Sequence, residues 1–274
     1  MPELPEVETI RRDLLPSVQG RRITAAWVSE QAPHLVQLFP PEEFCRQLQG
    51  RLIKDISRRG KYLVFNLDAG LMWVVHLRMT GRLQHHDDGC PDTPYLRASF
   101  GLDDGTRLCF IDLRKFGMMW LVDDWALVHS RLGPEPLEAE FELAAFQSLL
   151  KRRSAPIKSV LLDQTVLAGV GNIYADEALF AAGIRPTRAA NGISKVAAAR
   201  LHAAIRDVLR TALGDRGSSF RDYVDGRGRE GGHQLNVKVF RRTGQPCYVC
   251  GTEVRRVKVA GRSTHFCPRC QPTR

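Results

Sequence analysis

Ile157-Lys-Ser-Val-Leu-Leu-Asp-Gln-Thr-Val-Leu-Ala-Gly-Val-Gly-Asn-Ile-Tyr-Ala-Asp-Glu177 reads as a helix, a glycine-punctuated double turn and a second helix. Gly169-Val-Gly171 strips side chains from the turn, so backbone there can lie close against a ligand. Asn172 opens the second helix, where unsatisfied N–H groups and the helix dipole suit a phosphate. A plain helix–helix connection would read the same way, and this stretch alone does not separate the two. Its surroundings are helical as well. Residues 141–151, 156–163, 172–182 and 194–213 carry the helical pattern, with Ser194 placed to N-cap the last helix and Gly214 to end it.

Upstream the pattern changes. Leu132-Gly-Pro-Glu-Pro-Leu137 is a proline-rich boundary, and 132–140 reads as an interdomain linker. Before it, residues 22–30, 51–57, 61–67, 71–78, 96–102 and 107–111 are short runs rich in β-branched and aromatic residues, separated by turn signals. Asp104-Gly105 predicts a hairpin between the last two. No strand–helix–strand alternation occurs, so the strands predict an antiparallel β-sandwich over 1–131. A helix precedes them. Val7, Ile10, Leu14 and Val18 recur at helical spacing from Pro5 on, and Pro16 and Gly20 predict its end. The fold class is α+β: a sandwich with flanking helices, a helical domain over 141–234, and a metal-binding hairpin over 235–274.

Downstream, residues 214–234 are rich in glycine and arginine and read as a mobile basic loop, equally compatible with a gripping loop and a plain linker. Then comes Cys247-x2-Cys250-x16-Cys267-x2-Cys270. Each CxxC knuckle offers two thiolates, and two knuckles complete a tetrahedral sulfur site. Four protein ligands leave no open position, so the expected ion is one structural Zn2+ that folds a hairpin too small for its own core. A redox dithiol pair would need a thioredoxin-like surround, which is missing. Of the seven cysteines, Cys45, Cys90 and Cys109 are scattered and read as structural thiols of a reducing compartment.

Charge points to the partner. The 274-residue chain carries a formal +10, and residues 237–274 hold nine Lys or Arg against one acid, Glu253. A zinc-pinned basic hairpin fits a nucleic-acid backbone. No apolar run approaches the roughly 20 residues that span a bilayer. The acidic, helix-like N-terminus matches neither a signal nor a transit peptide, so the expected location is the cytoplasm, with nucleoid association through DNA.

The candidate chemistry lies at the start, in Met1-Pro-Glu-Leu-Pro-Glu-Val-Glu8. Trimming of Met1 would leave Pro2 as a free secondary amine. An N-terminal amine has a pKa of about 7.7–8.0, against about 10.4 for lysine, so near neutrality a sizeable share is unprotonated and nucleophilic toward carbonyl carbon. Glu3, Glu6 and Glu8 crowd the same residues. Taken alone, the stretch is also a capped helix start, since proline and glutamate both suit a first turn.

Together these residues resemble the formamidopyrimidine-DNA glycosylase family (Fpg, also called MutM). The similarity runs the length of the chain: PELPEVETIRR at 2–12, RGKYL at 59–63, HLRMTG at 76–81, DLRKFG at 112–117, LGPEPL at 132–137, LLDQTVLAGVGNIYADEALF at 161–180, RDYVDGRG at 221–228, and the paired CxxC knuckles. The resemblance implies a β-sandwich followed by a helix–two-turn–helix domain and a zinc finger, with damaged double-stranded DNA bound in the cleft between the domains. It also implies a monomeric enzyme that cleaves the glycosidic bond of oxidised purines and then performs β,δ-elimination at the abasic site.

By that resemblance, Pro2 matches the nucleophile that forms a Schiff base at the sugar C1′. Glu3 matches the acid that opens the sugar ring, and Glu6 a supporting acid, although a purely structural role at the helix start suits Glu6 equally well. Lys61 matches the proton donor of β-elimination. Arg262 matches the zinc-hairpin residue that grips the phosphate beside the lesion and is linked to δ-elimination. A base inside a duplex must be flipped out before chemistry, and something must fill the gap. Met79, Arg114 and Phe116 match the void-filling trio; on residue type alone, Met79 and Phe116 are equally core positions on strands. His76 and Asn172 match phosphate contacts, and Arg153 stands where the family carries a DNA-contacting lysine. Two positions depart from the pattern: Tyr95 replaces a histidine DNA contact, and Phe240 stands where a tyrosine is expected. Two other readings remain at this level: an endonuclease VIII-like enzyme for oxidised pyrimidines, and a non-catalytic zinc DNA-binding protein. Leu4 and the DLRKFG run disfavour the first, and the intact Pro2, Glu3, Lys61 and Arg262 set disfavours the second.

Overall fold

In the computed structural model, which describes residues 1–273, eight strands of the first half form two four-stranded antiparallel sheets. They are β1 (Ile23–Val28), β2 (Ile53–Arg59), β3 (Tyr62–Leu67), β4 (Met72–His76), β5 (Gly81–His86), β6 (Leu96–Leu102), β7 (Arg107–Asp112) and β8 (Met118–Val122). One sheet has the order β1-β6-β7-β5, the other β2-β3-β4-β8. Aromatic side chains meet in the core: Trp73 of β4 lies 4.4 Å from Phe65 and 4.3 Å from Phe100, centroid to centroid. The Asp104-Gly105 turn joins β6 to β7 as expected, with Gly105 at φ 90°.

Helix α1 (Leu4–Val18) packs Val7, Ile10, Leu14 and Val18 into the same core, the face its periodicity predicts. Burying each such side chain contributes about 1.5–3 kcal/mol, which holds the N-terminal turn on the sandwich. Pro16 does not end the helix. It lies inside the last turn, where it removes one i→i−4 bond without stopping the helix, and the chain leaves the helix only at Gln19. Glu8 fastens the helix by accepting from Arg11, Arg12 and Arg58. Burial alone would raise its carboxyl, but these guanidinium partners hold it at about 2.

Three elements escape the sequence pattern. Helix α2 (Pro41–Leu48) is short and buries only Phe44 and Leu48. Strand β5 is half polar, and β8 follows a turn too closely to stand apart. The reading of Cys90 and Cys109 as free thiols is corrected as well: the two form a disulfide with Cα atoms 5.7 Å apart, tying the β5–β6 connection to β7. Scattered spacing in sequence hid a pair that the folding of the β5–β6 connection brings together. Cys45 remains a free thiol.

The chain divides into two units. The first is Met1–Arg131 with Asp215–Gly232; the second is Leu132–Gly214 with the described residues from His233 on. The glycine- and arginine-rich segment therefore folds with the sandwich. The second unit holds α3 (Leu143–Lys151), α4 (Ile157–Leu162), α5 (Asn172–Ala181), α6 (Lys195–Gly214) and the hairpin β9 (Arg255–Val259) and β10 (Arg262–Phe266). Ser194 Oγ accepts from the Ala197 amide at 3.2 Å, so it caps α6 as its identity suggests. Gly133 packs so tightly that a Cβ there would stand 2.5 Å from the Val166 backbone, so the proline-rich boundary is built into the helical unit.

Candidate active site and zinc centre

Pro2, Glu3 and Glu6 are all buried at the start of α1. Glu6 Oε2 accepts the Glu3 amide at 2.8 Å, the carboxylate half of a capping box. Glu6 Oε1 accepts the Ser218 amide, also at 2.8 Å. One carboxylate thus joins the turn behind Pro2 to the 215–232 segment.

Lys61 occupies the second position of a two-residue turn between β2 and β3, where Arg59 pairs with Tyr62. Gly60 takes the first position at φ 57°, which a side chain would resist. The turn holds Lys61 with its side chain mostly buried, at 6% exposure. His76 ends β4 opposite Tyr62, ring to ring at 4.6 Å. Burial, with the charges of Arg78 and Lys61, drives its pKa down to about 3. Nδ1 of His76 faces the Arg78 amide at 3.0 Å and must accept from it, so the neutral ring carries its proton on Nε2.

Met79, Arg114 and Phe116 come from two different loops and meet in space. Arg114 Nη1 lies 3.1 Å from Met79 Sδ, and the guanidinium sits 4.6 Å over the Phe116 ring. Met79 is 39% and Phe116 48% exposed, so neither is a core residue. The β4–β5 and β7–β8 loops are brought together by the pairing of Gly81 with Asp112. Asp112, 1% exposed, then binds both. Its Oδ1 accepts from Thr80 Oγ1 and from the Arg114 amide (3.2 Å), and its Oδ2 from the Gly117 amide (2.8 Å). Sequence reasoning named the trio and missed this support, although Thr80 and Asp112 stand inside the same two motifs. Tyr95 is 42% exposed, and its carbonyl accepts the Asp112 amide at 2.9 Å.

In the second unit, Asn172 is the first residue of α5, and its Oδ1 has no hydrogen-bond partner among the described residues. Arg153 reaches Asp163 at 3.6 Å while 45% exposed. Arg262 opens β10 and is exposed just beyond a two-residue turn, Ala260 at φ 47° and Gly261 at φ 74°. The hairpin is fastened from beneath by a buried ion pair. Lys158 Nζ lies 2.7 Å from Asp176 Oδ1 and donates to Ser263 O and Thr264 Oγ1, both at 2.9 Å. Asp176 Oδ2 accepts the His265 amide at 2.9 Å. Glu177, the next residue, accepts three successive amides, Lys238, Val239 and Phe240, at 2.7–2.9 Å. Burial nonetheless pushes its carboxyl up. Phe240 therefore contributes its backbone here, a part that no side-chain pattern reveals.

The sulfurs of Cys247, Cys250, Cys267 and Cys270 all lie within 4.8 Å of one another. Cys250 to Cys267 is 3.4 Å and Cys247 to Cys270 is 3.9 Å. Zinc–sulfur bonds of about 2.3 Å in a tetrahedron place sulfurs about 3.8 Å apart, so the four thiolates fit one structural zinc ion.

Three family models match the chain. The formamidopyrimidine-DNA glycosylase N-terminal domain covers residues 1–119, the H2TH domain of the same enzyme 132–223, and the zinc finger found in FPG and IleRS 244–273. The formamidopyrimidine-DNA glycosylase of Heliobacterium modesticaldum is 46% identical over 99% of this chain and 100% of its own length. That of Moorella thermoacetica is 48% identical over 94% and 95%. Among solved structures, a Lactococcus lactis FPG mutant bound to Fapy-dG-containing DNA superposes with a TM-score of 0.92 at 37% identity, over 99% of this chain and 100% of that one. MutM (FPG) from Thermus thermophilus does so with 0.89 at 42% identity, over 98% of each. Fold, zinc centre and similarity together define a DNA-repair glycosylase with a helix–two-turn–helix domain and a zinc finger. The chain belongs to the formamidopyrimidine-DNA glycosylase family.

Proposed function

We propose that this enzyme excises oxidised purines, 8-oxoguanine opposite cytosine and formamidopyrimidines, from duplex DNA and then cleaves the strand through a Pro2 Schiff base. The observation that carries the reading is the exposed Met79–Arg114–Phe116 cluster in the same unit as the buried Pro2. Met79 is flexible enough to occupy a vacated stack, and Phe116 can wedge beside it. Arg114 supplies donors for the O2 and N3 acceptors of an orphaned cytosine.

In the reaction, the Pro2 nitrogen bonds to C1′ as the glycosidic bond breaks and the base leaves with a proton. Glu3 donates to the ring oxygen O4′, which opens the sugar. The product is an iminium that no deprotonation at nitrogen can neutralise, because the amine is secondary. It withdraws electrons and acidifies the C2′ proton. Loss of that proton expels the 3′ phosphate, a second elimination expels the 5′ phosphate, and hydrolysis returns Pro2. Lys61 serves proton transfer and Arg262 holds phosphate. His76, neutral at working pH, contributes an Nε2–H donor to the backbone instead of a charge.

Borohydride trapping of the Met1-trimmed enzyme on 8-oxoguanine:C duplex tests this. The expected result is a covalent adduct with the trimmed enzyme, much less with Pro2→Gly, whose N-terminal amine is primary, and none while Met1 still acylates the Pro2 nitrogen. DNA binding should survive in Pro2→Gly. Activity of Pro2→Gly within about twofold of the unsubstituted enzyme would demand another nucleophile, since covalent catalysis stands or falls with its attacking group. Trapping confined to oxidised-pyrimidine duplexes would assign the substrate to the endonuclease VIII-like class.

A further inference from the structure

Glu6 and Asp13 stand seven residues apart on α1, two helical turns along one face, and both receive the 215–232 segment. At Glu6 the contact is the Ser218 amide. At Asp13 it is the Arg216 guanidinium, with Nη2 at 2.7 and 2.6 Å from the two carboxylate oxygens, and the Gly226 amide at 3.3 Å. The same Nη2 bonds Asp225 Oδ2. Asp225 is fully buried and also accepts the Arg227 and Arg229 amides at 2.9 Å and Arg229 Nε at 3.1 Å. Arg216 is thus clamped between a carboxylate of the helix and a carboxylate from further along its own segment.

Its backbone adds a second, independent observation. Arg216 sits at φ 62° and Gly217 at φ 81°. A left-handed arginine is strained by about 1 kcal/mol or more, and such strain persists where surrounding contacts over-determine it. The consequence is close approach: a Cβ on Gly217 would lie 2.9 Å from Glu6 Cγ, and one on Gly226 2.9 Å from Asp13 Cβ. Tyr223 closes the arrangement from the core side, donating its hydroxyl to Arg216 O at 3.1 Å.

We propose that Arg216 is a positioning residue for base excision: its clamp between Asp13 and Asp225 presses the segment onto the Glu6 carboxylate and so sets the first turn of α1, which carries Pro2 and Glu3. The route is short and continuous. Arg216 leads through Gly217 to the Ser218 amide, from there to Glu6 Oε1, and from Glu6 Oε2 to the Glu3 amide. This rests on Pro2 as the nucleophile. Misplacing a reacting group by a fraction of an ångström lowers the rate without touching substrate affinity.

The test uses the Met1-trimmed, zinc-loaded enzyme and the variants R216M, R216G, R216K, D13N and the double variant D13N/R216M. Single-turnover excision rate, DNA dissociation constant and thermal midpoint are measured for each. The expected loss in rate for R216M, R216G and D13N is about tenfold, with DNA affinity held within about twofold. R216G separates two roles: glycine relaxes the left-handed backbone but cannot clamp, so it should be as slow as R216M. R216K restores charge to the clamp and should recover part of the rate. The double variant should be no slower than either single one, because all three break the same contact. Unchanged rates, additive losses, or a slow phenotype that R216G cures would overturn the proposal. If the unsubstituted enzyme forms no borohydride adduct, the Pro2 reading falls and the clamp proposal with it. If adduct forms equally fast with R216M, the clamp proposal alone falls.

Discussion

At the scale of single residues, burial decides which groups can carry charge. His76 has an ordinary value of 6.5 when exposed and about 3 when folded, chiefly through burial and then through Arg78 and Lys61. A depressed histidine binds its proton more readily in the unfolded chain, so its contribution to stability is complete above pH 6.5 and lost as pH falls toward 3. Glu8 acts in the same direction at lower pH: its carboxyl sits at about 2 against 4.5 when free, so its contribution fades below 4.5. Denaturation of His76→Asn followed from pH 7 to 5 should show a flatter stability curve than the unsubstituted protein. Parallel curves would mean that His76 does not govern this window. Legibility at this scale is uneven. Pro2, Lys61 and Arg262 stand inside motifs visible in the chain, whereas the neutrality of His76 depends on neighbours that strand pairing supplies.

At the scale of elements, the loops matter through what anchors them. The β4–β5 and β7–β8 loops carry Met79, Arg114 and Phe116, and Asp112 receives hydrogen bonds from both. Removing the carboxylate leaves buried donors unsatisfied, at a cost of about 1.5–3 kcal/mol for the charged hydrogen bonds. Asp112→Ala should lower stability by that order in urea titration. It should also slow excision of a paired lesion more than strand cleavage at a preformed abasic site, because only the former requires extrusion of a base. Equal losses on both substrates would place Asp112 in the fold alone. The elements missed in the sequence share one cause. Helix α2, β5 and β8 are short or partly polar, and local periodicity falls below the level that separates them from turns. The Cys90–Cys109 bond was invisible for another reason: Cys90 lies in the β5–β6 connection and Cys109 in β7, so their contact follows from how that connection folds against the sheet, not from spacing.

At the scale of the whole molecule, stability and DNA retention are unevenly distributed. The second unit's zinc hairpin has a small core, Val239, Val254 and two of the cysteines, reinforced by the Lys158–Asp176 pair and the Glu177 carboxylate. Chelation of zinc should unfold the hairpin and abolish DNA retention, while far-ultraviolet signals of the sandwich persist, since its aromatic core lies wholly in the first unit. Retention of DNA after verified zinc loss would separate the hairpin from binding. Arg262→Ala should reduce the slope of log affinity against log salt by about 0.9, one phosphate contact. The sequence by itself determined the sandwich, the helical half and the zinc ligands, because periodicity, turn chemistry and cysteine spacing are local; the residues of the candidate site are named by family resemblance instead. Only the tertiary structure decided which loops meet at Asp112, that Cys90 bonds Cys109, and that the 215–232 segment folds onto the helix behind Pro2. Those are contacts between residues as far apart in sequence as Asp13 and Arg216, and they arise only when the chain closes its core.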